Sequence, residues 1–398
     1  MKVCLLTPEF EASWGGVGTY AYYLATGLRD MAEVHVLTSE HRSAWKDDPA
    51  LDGITIHSTI APEKTSRQAG NFRFQLAVRD ALPRLIEKHG FDIVHANHAY
   101  MSDFFAGPRR APTEHVLTVH TTLDTQISGT RNAGPESPRH SLERRIVRFR
   151  PFFRVLERHY LRQQSSMIFV SKWVRDRTYG RYGIRPERSE VVMNGVDTDL
   201  FEPNGQDKDG GIVLPHEGRT ILFVGRLLAL KGIATLFDAL RLLPPDVRLL
   251  LAGPGDQTVW RAYASELGLL HGRVQFLGRV PHAHMPTVYH HADAVVLPSF
   301  TESCPMAALE AMACCTPLIA ADVGGVPEII REGETGWKFP AGDSQALAER
   351  IESVLIDRVS AQRVARRARE WVLRDASVER MVDKTWDFYE QVLEGENT

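Results

Sequence analysis

Short apolar runs alternate with helical stretches along this chain, and they do so in two separate series. In the first, residues 3–6, 34–38, 93–95, 116–119 and 168–170 read as strands, with helices at 20–29 and 74–88. In the second, residues 221–224, 247–252, 274–277, 294–297 and 318–321 read as strands. Strand, helix and strand in turn is the pattern of a parallel sheet covered by helices on both faces. Between the series, PNGQDKDGG (203–211) is polar and glycine-rich and reads as a linker. The expected fold class is therefore α/β, with two Rossmann-like doubly wound parallel-sheet domains facing across a cleft. The boundaries expected are 1–200 and 219–375, with a linker at 201–218. Residues 376–398 should form a closing helix that packs back on the first domain. In that tail Val378, Val382, Trp386, Tyr389 and Leu393 recur at helical spacing. A length of 398 residues suits two domains of ordinary size.

Composition removes several function classes. The formal charge is −3 with 24% charged residues, which argues against a polyanion binder and against a nucleic-acid partner. The opening MKVCLLTPEF has too short an apolar run for a signal peptide, and no run approaches a membrane span. The four cysteines, Cys4, Cys304, Cys314 and Cys315, do not make a disulfide framework. A cytoplasmic setting is expected.

Sheets of this kind bind ligands at the carboxyl ends of their strands. Three motifs fall there. Trp14-Gly15-Gly16-Val17-Gly18 follows the first strand and precedes a helix, where glycines admit close backbone approach and a helix N-terminus favours an anion. Its spacing is not G-x-G-x-x-G, so a nicotinamide cofactor is not supported. Val224-Gly225-Arg226-Leu227 and Lys231-Gly232 follow the first strand of the second series. Arg226 forks onto phosphate oxygens and Lys231 supplies a point charge, so one diphosphate suits both. Finally, ESCPMAALEAMACCTPLIA (302–320) sets Glu302 before a helix and Glu310 inside it. Ser303 or Cys304 is expected to cap that helix, with Pro305 in its first turn. A ligand with phosphate in its middle and hydroxyls at both ends, such as a nucleotide-sugar, fits this order. A basic solvent-facing loop and an amphipathic helix with one surface glutamate are the plain readings of the same residues.

These residues carry a resemblance. Gly15-Gly16-Val17-Gly18, VGRLLALKG (224–232), PSFTESCPMAALEAMACCTP (298–317), ADVGGVPEII (321–330) and TGWKF (335–339) resemble the retaining nucleotide-sugar glycosyltransferases of family 4 (group 1), which have the GT-B fold. The resemblance covers nearly the whole chain, and its Glu-x7-Glu element is specific. It implies that Arg226 and Lys231 grip the donor diphosphate, that Glu310 holds the ribose hydroxyls and that Glu302 sits by the donor sugar. It further implies that Gly15 and Gly16 lie close to the phosphate and sugar, with Met306 and Ala307 supplying amides. Arg279 and Val280 would hold the base through backbone groups. His120, in VLTVHTT, would contact the sugar or the reacting centre. The catalytic set so implied is His120, Glu302, Arg226 and Lys231. The reaction would be front-face transfer with retention, with a uridine nucleotide-sugar expected ahead of a guanosine one, and no cofactor or metal. Two positions depart from the family's usual glycines, Pro305 and Cys315.

Other features are weighed and set lower. Asp197-Thr198-Asp199 spells D-x-D, but in NGVDTDLF it matches a linker-side loop of the family rather than a metal site. His282, His284, His290 and His291 lack a zinc-site spacing. His95 and His98 lie at a strand end and are candidates to line an acceptor pocket. The stretch 139–164 holds eight arginines against two glutamates with an apolar stripe and a break expected at Pro151. A core-packed helix is favoured there over a surface that meets anionic lipid at the inner membrane face. The segment 124–138 reads as a long polar loop expected to order over the acceptor, whose identity the sequence does not reveal. Two other function classes stay open: a GT-B nucleotide-sugar epimerase, and a non-catalytic nucleotide-sugar binding module.

Overall fold

Thirteen strands in two all-parallel sheets make up the frame of the described residues. These are 1–10, 16–39, 48–59, 67–106, 113–133, 150–203, 214, 218–269 and 272–395 of a computed structural model. The first sheet comprises β1 Lys2–Leu6, β2 Glu33–Thr38, β3 Thr55–Ser58, β4 Ile93–Asn97, β5 Glu114–Val119, β6 Ser166–Phe169 and β7 Arg188–Val191, in the order β3-β2-β1-β4-β5-β6-β7. The second comprises β8 Arg219–Val224, β9 Val247–Ala252, β10 Val274–Gly278, β11 Ala294–Leu297, β12 Leu318–Ala321 and β13 Trp337–Phe339, in the order β10-β9-β8-β11-β12-β13. Central strands such as IVHAN and AVVL are buried throughout, because helices cover both faces of a parallel sheet. Both sheets reverse direction at their first strand, between β1 and β4 and between β8 and β11. Loops leaving β1 and β4, or β8 and β11, therefore diverge and leave a crevice at their carboxyl ends.

The two sheets belong to two compact units. One holds Met1–Thr122, Phe152–Gly195 and Val378–Thr398; the other holds Leu123–Pro151 and Val196–Ser377. The chain thus passes between units at Thr122/Leu123 and Pro151/Phe152, and then at the two passages Gly195/Val196 and Ser377/Val378. Val196 N donates to Ala376 O at 3.0 Å, so the two passages lie side by side. The final helix, Val378–Glu394, lies in the seven-stranded unit against the helix Gly16–Leu28. Gly27 makes that packing close: a Cβ there would come within 2.4 Å of Val382 Cγ2. In the six-stranded unit, Phe223, Phe237, Trp260 and Leu249 anchor one apolar core.

One expectation is corrected. Leu123–Asn132 is a helix, not a loop, and it belongs with the six-stranded unit. Of its inward residues Asp124, Thr125, Ile127 and Gly129, only Ile127 is a large apolar one, so no apolar stripe announces it. Gly129 packs there on Thr301, whose Cγ2 a Cβ would approach to 2.5 Å. Residues 134–138 of that segment lie outside the described residues. Pro151 is the second residue of the described helix Arg150–Arg162, and the break expected there turns on preceding residues that lie outside the described ones. Of the basic stretch, 139–149 lie outside the described residues. The remainder turns Glu157, Tyr160 and Leu161 inward and leaves Phe152 and Val155 exposed. No helix among the described residues is long and apolar enough to cross a membrane.

Candidate active site

In the six-stranded unit the candidates converge on the crevice between β8 and β11. The loop after β8 carries Arg226, which is exposed, and ends in a turn Ala229–Lys231 closed by Gly232. Gly232 has a φ of 72°, and a Cβ there would come within 1.9 Å of the Pro298 carbonyl oxygen. Only glycine lets this loop lie against the one that follows β11. Phe300 N donates to Leu230 O at 2.8 Å and stitches the two together. As a result Lys231 Nζ donates to Glu302 Oε1 at 2.6 Å, and Ser299 Oγ donates to the same oxygen at 2.6 Å. The Lys231 and Glu302 side chains are 21% and 11% exposed. At that depth the pair is screened less than a surface bridge, and each charge holds the other in place. Glu302 is also held by its backbone. Gly325 N donates to Glu302 O at 3.0 Å. Gly324, at a φ of 61°, stands where a Cβ would meet that oxygen at 1.8 Å. The glycines of ADVGGVPEII are thus a seat for Glu302.

Glu310 is buried on the helix Met306–Ala313. Tyr289 Oη donates to its Oε2 at 2.6 Å, while no hydrogen bond among the described residues reaches its Oε1. Burial first, and then the neighbouring Glu310 charge, push the Tyr289 phenol well above its usual range, so it remains a donor. One carboxylate oxygen is fixed by tyrosine and the other is left to accept from a hydroxyl pair. Neither Ser303 nor Cys304 caps this helix. Pro305 occupies the cap position, and no side-chain cap bond forms. The Met306 and Ala307 amides at its first turn have no partner one turn back, as at any helix start. Arg279 and Val280 follow β10 at the same end of the sheet, exposed and half-buried respectively. Cys315, just past the helix, has a φ of 54°, the left-handed region where glycine costs least. Asp197 of D-x-D turns its Oδ1 to the backbone, accepting from Asp199 N at 3.1 Å and Leu200 N at 2.9 Å, which is a turn rather than a ligand set.

The seven-stranded unit supplies a different constellation. Gly16 opens the helix after β1 and is exposed; Gly15 lies outside the described residues. His120 follows β5 and is buried, its Nε2–H donating to Asn97 Oδ1 at 3.0 Å. The Tyr20 ring meets it edge-on at 4.5 Å. Burial, then the nearby His95 and His98, push the His120 imidazole down to about 3, so it is neutral at pH 7. His95 is also pushed down to about 3 by burial. Its expected acceptor role is corrected: Nδ1 bonds Tyr389 Oη and Nε2 bonds Thr118 Oγ1, so neither ring nitrogen is left for a ligand. Thr118 in turn meets Tyr20 Oη at 3.0 Å. A buried relay therefore runs from the final helix through His95 to the ring that flanks His120. His98 is likewise inside, donating from Nδ1 to Thr121 O at 2.8 Å, with Nε2 3.2 Å from the fully buried Glu157. Sequence reasoning missed Tyr20, Asn97, Tyr289, Thr118 and Ser299, since none stands in a spacing that marks it. Ser299 stands inside PSFTES, Thr118 inside VLTVHTT and Asn97 between His95 and His98, yet no spacing marks any of them.

Comparison with known proteins adds two family matches that together span most of the chain. Residues 14–200 match the model described as Glycosyltransferase Family 4, and residues 206–371 match Glycosyl transferases group 1. A glycogen synthase of Mycobacterium tuberculosis is 28% identical over the whole of this chain and 96% of its own. Sucrose-phosphate synthase from Thermosynechococcus elongatus superposes with a TM-score of 0.81 at 22% identity, covering 99% of this chain and 100% of that one. The Anabaena protein HepE, solved in complex with UDP-glucose, superposes with a TM-score of 0.71 at 21% identity over 98% of this chain and 100% of its own.

Proposed function

Since this chain is a group 1 glycosyltransferase of family 4 with the GT-B fold, we propose that it moves a sugar from a nucleotide-sugar, with retention at the anomeric carbon, to a hydroxyl of a carbohydrate, lipid-linked or small-molecule acceptor. One observation carries the donor reading. Lys231, Glu302 and Ser299 form one anchored cluster, and Glu310 with a free-standing carboxylate oxygen lies one helix turn and a half further along the same loop and helix. That is the order of a diphosphate and sugar at one end and a ribose at the other. The HepE complex with UDP-glucose supports a uridine nucleotide ahead of a guanosine one.

In this reading the leaving diphosphate is held by Arg226 and Lys231 and by the first amides of the helix Met306–Ala313. Lys231 enters already paired with Glu302, so it is positioned before the donor arrives. Glu302 then faces the donor sugar. Stabilising charge as it builds on the departing phosphate is the dominant catalytic effect, and it needs no general base from the protein. His120, neutral and fixed by Asn97, offers a hydrogen bond to a sugar rather than a charge. Two cations take the place of a metal, so turnover should be unchanged by EDTA. Arg279 and Val280 present backbone groups to the base. The exposed Phe152 and Val155, on a helix rich in arginine, favour a lipid-linked acceptor met at an anionic membrane surface. Sedimentation with vesicles containing phosphatidylglycerol, but not with neutral ones, tests that surface.

The first test is a thermal-shift panel of UDP, GDP, ADP and dTDP, run beside Glu310→Ala. A nucleotide at a hundredfold excess over its dissociation constant should stabilise the fold by about 2.7 kcal/mol. The expected result is a clear shift with UDP that the variant loses. A shift undiminished in the variant would remove Glu310 from the ribose. Steady release of free nucleotide only when an acceptor is added separates transfer from epimerisation, and turnover of any kind separates it from a binding module.

A further inference from the structure

The seven-stranded unit contains a side-chain cluster that sugar transfer does not use. His35 on β2, His57 on β3 and His89, the last residue of the helix Arg67–His89, each bring a ring nitrogen within 4.8 Å of the others. His35 is buried and the other two are half-buried. The His35 and His57 rings stack 5.2 Å apart and 10° from parallel, with His35 Nδ1 2.9 Å from His57 Nε2. The His89 ring completes the group, 4.6 Å from His35 and 5.4 Å from His57.

Two further observations point to a ligand at the centre. Glu33 Oε1 lies 3.0 Å from His35 Nε2. An ionised carboxylate only accepts, so Nε2 carries the proton and Nδ1 turns its lone pair inward. A carboxylate behind an imidazole is the arrangement that orients and strengthens metal-binding histidines. In addition, His89 Nε2 is buried and makes no hydrogen bond among the described residues. A ring nitrogen withdrawn from water without a partner is a cost that a metal ion would remove.

We propose that His35, His57 and His89 bind one zinc ion, with a water in the fourth position. Three imidazoles and no carboxylate in direct reach suit zinc and disfavour magnesium and calcium. Zinc–nitrogen bonds of about 2.0–2.1 Å at tetrahedral angles set ligand nitrogens about 3.3 Å apart. The His35–His57 pair is close to that spacing, and His89, within 4.8 Å, has at most about 1.5 Å to close. The ion would tie β2 and the four-residue edge strand β3 to the end of the helix that feeds β4. An edge strand this short has little else to hold it. Glu33 opens β2 and His89 closes a helix, which places the cluster toward the amino ends of the strands. The donor and sugar candidates lie at the carboxyl ends. The ion's effect is therefore on stability and not on the transfer step, and the inference stands apart from the proposed function.

The test uses the full chain, stripped with chelator, desalted and titrated with zinc chloride alone. One zinc should be retained per chain after a second desalting, and the unfolding midpoint should rise. Magnesium chloride should do neither. His57→Gln and His89→Gln should lose both the retained zinc and the shift, and Glu33→Ala should weaken zinc binding by about 10–100-fold. Binding should also weaken with acid, because protons compete with zinc for the ring nitrogens. Cobalt added to the unaltered chain should give the visible absorption of a tetrahedral site, abolished by zinc. Zinc held equally by the wild type and both glutamine variants would overturn the proposal, as would no retention at all. Should the variants fail to fold, an unaltered chain without the cobalt band overturns it alone.

Discussion

The two sheets share one topology and place their candidate residues at the same point, yet the chemistry at the two crevices is opposite. In the six-stranded unit Arg226 and the Lys231–Glu302 pair are charged and partly open to solvent, and the buried Glu310 has one oxygen taken. In the seven-stranded unit the candidates are buried histidines locked by Asn97, Thr118 and Thr121, and burial keeps His95 and His120 neutral. Topology therefore fixes where a ligand can sit, while side-chain chemistry fixes which part of it can sit there. A diphosphate needs cations that keep their charge. A sugar needs hydrogen bonds that do not attract the phosphate. In the proposed reading the six-stranded unit supplies the first and the seven-stranded unit the second.

The sharpest way to break this contrast is to remove charge from the six-stranded side. Arg226→Ala and Lys231→Ala should each lower kcat by about 10²–10³-fold, the loss typical when one preorganised charge-stabilising group is deleted. Arg226 is exposed, so its variant should change stability by no more than about 0.5 kcal/mol. Lys231→Ala removes a partner from Glu302 and should cost somewhat more, with Ser299 still donating to the carboxylate. Initial rates and chemical denaturation on the same preparations measure both. Wild-type rates in both variants would end the assignment of phosphate to this side.

The neutral side can be probed by pH. His95 and His120 both have folded-state values of about 3, against about 6.5 for an unfolded histidine. Between those values the unfolded chain holds more protons than the folded one. The stability they permit is therefore complete above about pH 6.5 and is lost as pH falls toward 3. Two such groups give a slope of about 2–3 kcal/mol per pH unit near pH 5.5. His95→Gln should reduce the uptake on unfolding by about one proton, whatever it does to stability itself. An unchanged slope would mean that His95 is charged in the fold, and that the contrast between the halves is smaller than the buried contacts imply.

How much of this was legible beforehand follows the same physics. Strands buried on both faces are apolar runs, and every central strand could be read from them. β3 (TIHS) and β7 (RSEV), at the edges of the first sheet, are polar and at most half-buried, so they carry no such run. β13 is only three residues long and was visible merely as part of TGWKF. Charged site residues were legible because their loops follow strands and carry glycines with a reason to be there, as at Gly232 and Gly324. Their pairing was not: Lys231 and Glu302 are far apart in the chain, and nothing in either motif says that they touch. The three clustered histidines are invisible for the same cause, since β2, β3 and a helix end meet only in the fold. Buried partners such as Tyr289 and Thr118 look like ordinary core residues until their hydroxyls are seen to bond.

The smallest effect expected concerns the helix that bears Glu310, and it asks whether local strain on the charged side belongs to function. Cys315 takes a left-handed conformation immediately after that helix, at a cost of about 1–2 kcal/mol for a residue with a Cβ. Glycine would remove that cost but would also give the unfolded chain more freedom, which offsets about 0.4–1 kcal/mol. Cys315→Gly should therefore stabilise the chain by about 0.5–1 kcal/mol in urea denaturation. The helix start at Met306, the Tyr289–Glu310 bond and the Glu302 seat all lie at its other end or on its inner face, untouched by the change. Nucleotide affinity should then stay within twofold of wild type. A stabilised variant with weakened nucleotide binding would show that the strained turn positions Glu310, and that the six-stranded half is tuned by its backbone as well as by its charges.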